Sequence, residues 1–408
     1  MYLASKGISL NDTISIKPFS PETSSLIPST SPSTSPWDSS FFDVVDIDPF
    51  GSASPFVDAA IAAVRPGGLL CITSTDQAVL VGQYTDKCFT KYQSVPMHTS
   101  CCKESSVRSL LTCVMTAAAK VDRIITPLLS LNVDFYVRCF VRVDRRGNPK
   151  VMARQMIRTA FCNSCHSFFN ENLVEPNNSN RLLPGHREHS VCPVCDGKLR
   201  EAGPYWGDVA HSSDFVQEML RVVEDPKCGE GFPYVTTTDR IRGILTMAKD
   251  ELEVKTPFYY SLDRMCSVLK ISSPPSIDAR SALLNKGFLV CQWHGDRKAF
   301  KTNAPWKTVW SMVVSHGKEF LKGVEWDEKD AKYHKRAIIF SKDWESDWDW
   351  SRNDGALLSS RKTGVKKFPQ NPEPYWGPGS LPTNDKKLSD RKRRSSEDSE
   401  EKKLREEE

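Results

Sequence analysis

The chain has 408 residues, 26% charged and 39% hydrophobic, with 13 cysteines and a net charge of +4. At roughly 150 residues per domain that is enough for two or three globular domains, and the cysteine density is far too low for a disulfide-stapled scaffold. The odd count and the absence of a signal-like apolar run point to reduced, intracellular thiols, and no run approaches the ~18 apolar residues that span a membrane. Asp385 to Glu408 holds nine basic and nine acidic side chains, so the positive excess lies in the body. It is too small to establish nucleic-acid binding and argues against a purely acidic partner surface.

Residues 20 to 36 are Ser, Thr or Pro at 14 of 17 positions, too polar to offset chain entropy, and are read as disordered. Order begins at FFDVVDID (Phe41 to Asp48), a strand stopped by Pro49 and Gly51. In PFVDAAIAAVRPGG the apolar residues Phe56, Val57, Ala60, Ile61 and Val64 fall at helical spacing before a Pro-Gly-Gly stop. GLLCITST (Gly68 to Thr75) reads as a buried strand, Glu104 to Val121 as a helix, and DFYVRCFVRV (Asp134 to Val143) as a strand ending at a turn. Apolar strands alternating with helices predict a parallel sheet covered on both faces. The ligand crevice of such a sheet lies beyond the carboxyl ends of its strands.

Beyond Arg158 the texture changes. Cys162, Cys165, Cys192 and Cys195 form two Cys-x-x-Cys pairs with 26 residues between them. Each pair can grip one metal from a tight turn, and two pairs close a tetrahedral site for structural zinc. His166 and His186 are alternate ligands, and four unrelated buried thiols or a redox protein are the competing readings. Further on, Ser212 to Val223, Thr238 to Leu252, Ser261 to Leu269 and Asp278 to Lys286 read as helices. A short strand around Phe288 to Gln292 and a closing hairpin suggest a small α+β or winged-helix-like unit. Past Trp344 an extended arm and a charged tail are expected.

Asp46, Asp48, Pro49, Phe50 and Gly51 sit where a strand meets a helix. The plain reading is a turn. The chemical reading is a grip on an exocyclic amino group: a carboxylate accepts its hydrogens, the Pro-linked backbone offers a carbonyl, and the ring stacks on a base. Thr73 to Asp76 follows the next strand, either lining the same crevice or capping a helix through Thr75 or Asp76. Glu104 and Arg108 are spaced i, i+4, the pattern of an ordinary surface pair.

DVVDIDPFGSASPFVDAAIAAVRPGGLLCITSTDQAVLVG and PLLSLNVDFYVRCFVRV resemble the tRNA (guanine-26 N2)-dimethyltransferases. So do GPYWGDVAHSSDFVQEML, TTTDRIRGILTMAKDEL, FYYSLDRMCSVLK and NPEPYWGP. The resemblance runs from Phe41 to Pro378. It implies a Rossmann-like class I methyltransferase fold with a family-specific C-terminal domain. It also implies S-adenosylmethionine as methyl donor and tRNA as partner, with one and then two methyls placed on a guanine amino group. Asp48 would be the catalytic carboxylate, Pro49 and Phe50 would shape the base pocket, and Asp46 and Gly51 would serve the cofactor. Phe50, Thr75, Asp76, Glu104 and Arg108 are the substrate-binding candidates, and the four cysteines the metal ligands.

The sequence departs from the family pattern in two ways. No glycine-containing cofactor loop or ribose-binding acid is found upstream of Phe41, and Lys103 stands where the family usually has His. The expectation is therefore half a sheet with an open edge and two uncovered faces. An inactive zinc-containing tRNA-binding fragment is the alternative function. The chain divides as a disordered segment (1–37), the C-terminal half of a methyltransferase domain (38–157), a zinc-knuckle segment (158–203), an α+β tRNA-contacting domain (204–345) and an arm with charged tail (346–408). No segment calls for an obligate protein partner. The basic run Arg391 to Arg394 fits nuclear import, with the mitochondrion as second location.

Overall fold

A computed structural model describes residues 41–145, 149–175, 191–225, 237–359 and 364–365. The Ser/Thr/Pro-rich segment, His186, the NPEPYWGP motif and the Arg391 to Arg394 run lie outside them. Apart from Phe41, the described residues belong to one compact unit that begins at Phe42.

The first sheet is built from β1 (Phe42–Ile47), β2 (Val64–Ser74), β3 (Arg123–Val133) and β4 (Tyr136–Arg145), in the order β1-β2-β4-β3. Between them come α1 (Ser54–Ala63), α2 (Gln77–Leu80), α3 (Thr85–Tyr92) and α4 (Cys102–Ala119). Only β1 and β2 are parallel; β4 runs antiparallel to both β2 and β3. The expectation of a parallel sheet is corrected to a mixed one. Strand β3 is not evident in the sequence, because Thr126, Pro127, Ser130 and Asn132 dilute its apolar run. It returns into β4 through Asp134 and Phe135, with Asp134 at φ 48°. So short a link cannot make a crossover, so the pair is antiparallel.

One sheet face is filled. Ile47, Leu70, Ile72, Val137, Cys139 and Val141 pack against Val57, Ala60 and Ile61 of α1 and Val107, Leu111 and Val114 of α4. The other face is covered only in part. Helices α5 (Pro149–Arg154), α6 (Ser213–Glu224) and α7 (Thr238–Glu251) come next in order. Val216 and Leu220 of α6, one helical turn apart, join Leu245 and Ala248 of α7 over Leu129, Leu131 and Phe140. At β1 the same face is open, with Phe42 63% and Val44 54% exposed. No strand pairs with the outer side of β1 among the described residues. The expected pair of uncovered faces is thus corrected: α1 and α4 fill one, and α6 and α7 cover half of the other.

A second sheet holds the cysteine pairs. Its strands β5 (Met156–Phe161), β6 (Phe168–Asn172) and β7 (Arg200–Trp206) lie in the order β6-β5-β7. A third sheet, β8 (Tyr260–Ser261), β9 (Val290–Gln292) and β10 (Ala299–Thr302), is flanked by α8 (Leu262–Val268), α9 (Ser276–Asn285), α10 (Trp306–Phe320) and α11 (His334–Ser341). The anticipated closing hairpin is β9 with β10; α10 was not anticipated. These elements and the four cysteines share one aromatic core that includes Phe168, Tyr205, Phe258, Tyr260 and Trp310. The arm past Trp344 is anchored on it: Trp344, Trp348 and Trp350 pack there, and Trp348 Nε1 donates to Ser311 Oγ at 3.0 Å. No helix among the described residues is long and apolar enough to cross a membrane.

Candidate functional site

Because β1 and β2 are parallel neighbours, their carboxyl ends deliver residues 48–53 and 74–76 to one place. The two segments are stitched together. The Gly51 N–H donates to Thr75 Oγ1 at 2.8 Å, and the Thr75 N–H returns to the Gly51 carbonyl at 2.9 Å. Gly51 sits at φ 95°, a conformation that excludes most other residues. The Ala53 N–H donates to Ser74 Oγ at 3.2 Å. Above these ties Asp48 and Phe50 stand in solvent, with the Phe50 ring fully exposed. A bare aromatic ring beside a solvated carboxylate can receive a flat, amino-bearing ring.

The other candidates have different surroundings. Asp46 spends both carboxylate oxygens on Arg138, at 2.8 and 2.9 Å. Arg138 also donates to Thr73 Oγ1 at 2.6 Å. Asp46, half exposed, would thus meet a cofactor only beside the Arg138 guanidinium, and the Gly51 amide is already bonded to Thr75. Asp76 accepts from the Tyr92 hydroxyl at 2.7 Å and pairs with Lys91 at 3.4 Å. Tyr92, Ser52 and Arg138 were missed in the sequence, whereas Ser74 falls within the Thr73 to Asp76 segment expected to line the crevice. Each missed residue lies in or beside a regular element and carries no motif of its own.

Glu104 and Arg108 are not a surface pair. Their side chains are 5% and 1% exposed, the reverse of what i, i+4 spacing alone suggests. Glu104 Oε1 accepts from Arg108 Nε at 3.0 Å, Arg108 Nη2 at 2.8 Å, Lys301 Nζ at 2.9 Å and the Phe258 N–H at 3.0 Å. Arg108 Nη1 donates to the carbonyls of Trp206 and Asp208 at 2.6 and 3.0 Å. Burial pushes the Glu104 carboxyl up, but Lys301 and Arg108 outweigh it and hold the group below its ordinary value. The pair therefore ties α4 to β7 and β10, and its burial keeps it from touching a tRNA in this arrangement. Glu104 Oε2 has no protein partner. It borders a cavity of about 30 Å³ lined also by His211, Glu251, His294 and Lys301, large enough for water.

The four cysteines converge. Their Sγ atoms lie within 4.8 Å of one another and all four residues are buried. Cys162 and Cys195 are 3.6 Å apart and Cys165 and Cys192 3.5 Å. Disulfide sulfurs would be about 2 Å apart, whereas tetrahedral thiolates ~2.3 Å from one metal lie about 3.8 Å from each other. The two turns are alike. His166 N–H returns to the Cys162 carbonyl and Asp196 N–H to the Cys192 carbonyl, and both His166 and Asp196 have positive φ. A Cβ at Gly197 would meet Cys162 Sγ at 3.1 Å and Cys195 Sγ at 3.2 Å, so a side chain there would press directly on the sulfurs. Ser167 Oγ lies 3.0 Å from Cys165 Sγ and is fixed by Trp310 Nε1 at 2.8 Å. His166 is outside the cluster.

A second group, His211, Glu251 and His294, has the composition of a metal triad. Its hydrogen bonds argue otherwise. The Ser130 N–H donates to His211 Nδ1 at 3.3 Å and the Asn132 N–H to His294 Nε2 at 2.9 Å. Each ring thus carries its one proton on the nitrogen facing Glu251, at 3.5 and 2.7 Å. A metal there would move those protons onto nitrogens that already face backbone donors, the opposite of the usual outer-shell arrangement. The trio instead clasps the edge strand β3, whose amides would otherwise be buried without partners.

In fold the chain is an α/β protein. A solved complex of Trm1 from Pyrococcus horikoshii with S-adenosyl-L-methionine shares it, with a TM-score of 0.55, 24% identity and 66% of each chain covered. The family model described as N2,N2-dimethylguanosine tRNA methyltransferase matches residues 35–314. Curated tRNA (guanine(26)-N(2))-dimethyltransferases agree. The Schizosaccharomyces pombe protein is 38% identical over 84% of this chain and 62% of its own length. The Drosophila melanogaster protein is 34% identical over 84% and 60%, and the human protein 33% identical over 83% and 51%. The chain belongs to the N2,N2-dimethylguanosine tRNA methyltransferase family, and spans half to two thirds of the length of these relatives.

Proposed function

We propose that this chain serves the S-adenosylmethionine-dependent methylation of the N2 amino group of guanine 26 in tRNA, first mono- and then dimethylation. The observation that carries the reading is the Asp48 to Gly51 loop, pinned at the carboxyl ends of two parallel strands with its carboxylate and ring in solvent. Asp48 accepts the amino hydrogens, stabilises the positive charge that develops on N2 as the methyl carbon–sulfur bond breaks, and accepts the proton N2 then releases; Phe50 stacks on the base, and Pro49 holds the turn between them. A base inside a tRNA must leave its stack, at a cost of a few kcal/mol, and the exposed Phe50 ring supplies replacement stacking. The methyl group comes from the sulfonium donor, which leaves as the neutral thioether.

The four cysteines hold a structural zinc. Four thiolates leave no open coordination position, so the metal pins the two connections of the second sheet to each other, and Ser167, bonded to Trp310, links that cradle to the C-terminal core. That core, with the Rossmann-like sheet, forms the tRNA-contacting body. Nuclear import through Arg391 to Arg394 belongs to the same reading.

The test is methyl transfer from labelled donor to a tRNA transcript, alongside equilibrium binding of the donor. Asp48→Ala is expected to abolish transfer while tRNA binding survives; retained turnover would overturn the assignment. The outer side of β1, unpaired among the described residues, and the exposure of Phe42 and Val44 favour a second reading, a zinc-containing tRNA-binding fragment without turnover. Donor binding that stays undetectable at millimolar concentration would select it.

A further inference from the structure

The loop that presents Asp48 and Phe50 has a buried anchor beneath it. Tyr92, the last residue of α3, is fully buried. Its hydroxyl stands among three polar groups: Ser52 Oγ donates to it at 2.8 Å, it donates to Asp76 Oδ1 at 2.7 Å, and Ser74 Oγ lies 3.3 Å away. Each of these residues is joined to the loop. Ser52 is part of it, Ser74 accepts the Ala53 N–H, and Asp76 follows Thr75, which exchanges two hydrogen bonds with Gly51.

The chain of bonds has a direction. Burial, with Asp76 adding to it, pushes the Tyr92 phenol far above its ordinary value, so the hydroxyl keeps its single hydrogen. Asp76, at 2.7 Å against 3.3 Å for Ser74, is the closer acceptor. The phenol oxygen is then left to accept from Ser52. Ser52 in turn keeps its lone pairs for the start of α1, where the Ser54 N–H approaches at 3.4 Å. One carboxylate thereby orients a series of hydroxyls that ends at the loop. A tyrosine buried only for its ring would not need three polar neighbours that all connect to one surface loop.

We propose that Tyr92 is a positioning residue for the acceptor base, and that Asp76 acts through it rather than on the substrate. The inference rests on the proposed role of the Asp48 loop and deepens it. Without the relay, Gly51 and Ala53 keep their direct ties, but Ser52 is free to turn, and the segment carrying Asp48 and Phe50 loses its fixed height above the strand ends. The effect falls on capture of the base and not on docking of the tRNA body, because Tyr92, Ser52 and Ser74 are all buried.

The experiment uses the full chain and a tRNA transcript carrying 2-aminopurine, which has the same exocyclic amino group, in place of the acceptor guanine. Tyr92→Phe keeps the ring in its socket and removes only the hydroxyl. We expect tRNA affinity within about twofold of wild type and a fluorescence change on binding reduced about fivefold or more, the scale of one lost buried hydrogen bond. Methyl transfer should show kcat reduced by a similar factor with KM for tRNA unchanged. Asp76→Asn, which retains a weaker acceptor, should fall between the two. A full fluorescence response in Tyr92→Phe overturns the proposal, as does a loss of tRNA affinity that matches the loss of signal. If wild type gives no fluorescence change, base capture by this loop fails instead. Amide exchange then judges the relay: faster exchange at Ser54, whose N–H faces Ser52 Oγ, in Tyr92→Phe at unchanged melting temperature supports it, and unchanged exchange there overturns it.

Discussion

The cysteine centre and the Asp48 loop are built on opposite principles. At the first, four side chains converge in the interior, each ligand comes from one of two near-identical turns, and the surrounding aromatic core closes over them. At the second, the groups offered for chemistry are in solvent, and the precision lies in what holds the backbone below them: Thr75, Ser74, Ser52 and Tyr92. The first site spends its side chains on stability. The second draws its geometry from neighbours and leaves its own side chains free to meet a partner. The contrast teaches that an exposed site can be as well fixed as a buried one, provided its neighbours hold the backbone beneath it.

Substitutions should separate the two regions by how much stability each carries. The largest loss is expected at the cysteines. Cys165→Ala, or a chelator strong enough to strip zinc, should lower the melting temperature by roughly 10 °C or more, and metal analysis of the wild-type chain should give one zinc. A melting curve indifferent to both would remove the structural role. Next comes the buried pair. Glu104→Ala leaves Arg108 and Lys301 uncompensated in the interior, at a cost of about 3–5 kcal/mol by denaturant titration.

A smaller, graded loss should follow acidification through the β3 clasp. Burial lowers the His211 value, with Glu251 opposing. The unfolded chain therefore binds a proton near the ordinary histidine value of 6.5 before the folded one does, and stability falls as pH drops below that point. For Glu251 burial works upward, but the histidines prevail and hold it below its ordinary 4.5, so its contribution is lost only at lower pH. Urea midpoints between pH 8 and 5 should decline in wild type and flatten in His211→Gln. The smallest stability effect is expected at the loop. Phe50→Ala removes a fully exposed ring and should change stability by about 0.5 kcal/mol or less, while it lowers methyl transfer. A large destabilisation there would erase the contrast.

How far the sequence could be read differs along the same lines. The cysteine pairs were legible because a metal knuckle is local: two ligands, one turn, fixed spacing. The helices at 213–224, 238–251, 262–268 and 276–285 were legible from their periodicity. Strand β3 was not, since its polar positions suit a strand whose edge is clasped by histidines, and a single strand's pattern does not reveal what lies beside it. Glu104 and Arg108 look like surface residues in the sequence because i, i+4 spacing is the same on a wet face and a dry one. Asp46 reads there as a cofactor residue, but its partner Arg138 lies on β4, and only the register that sets Cys71 beside both strands brings them together.

The sequence by itself determined the family, the two Cys-x-x-Cys pairs, the amphipathic helices and the Asp-Pro-Phe-Gly turn, because each is written in neighbouring residues or in a short repeat of polarity. The tertiary structure decided that the sheet is mixed, that Glu104 and Arg108 are interior, that two histidines clasp an edge strand instead of a metal, and that Tyr92 lies under the loop. Those outcomes depend on contacts between residues far apart in the chain. Their energies are set by which donors, acceptors and charges are shut away from water together, a quantity that no local pattern encodes.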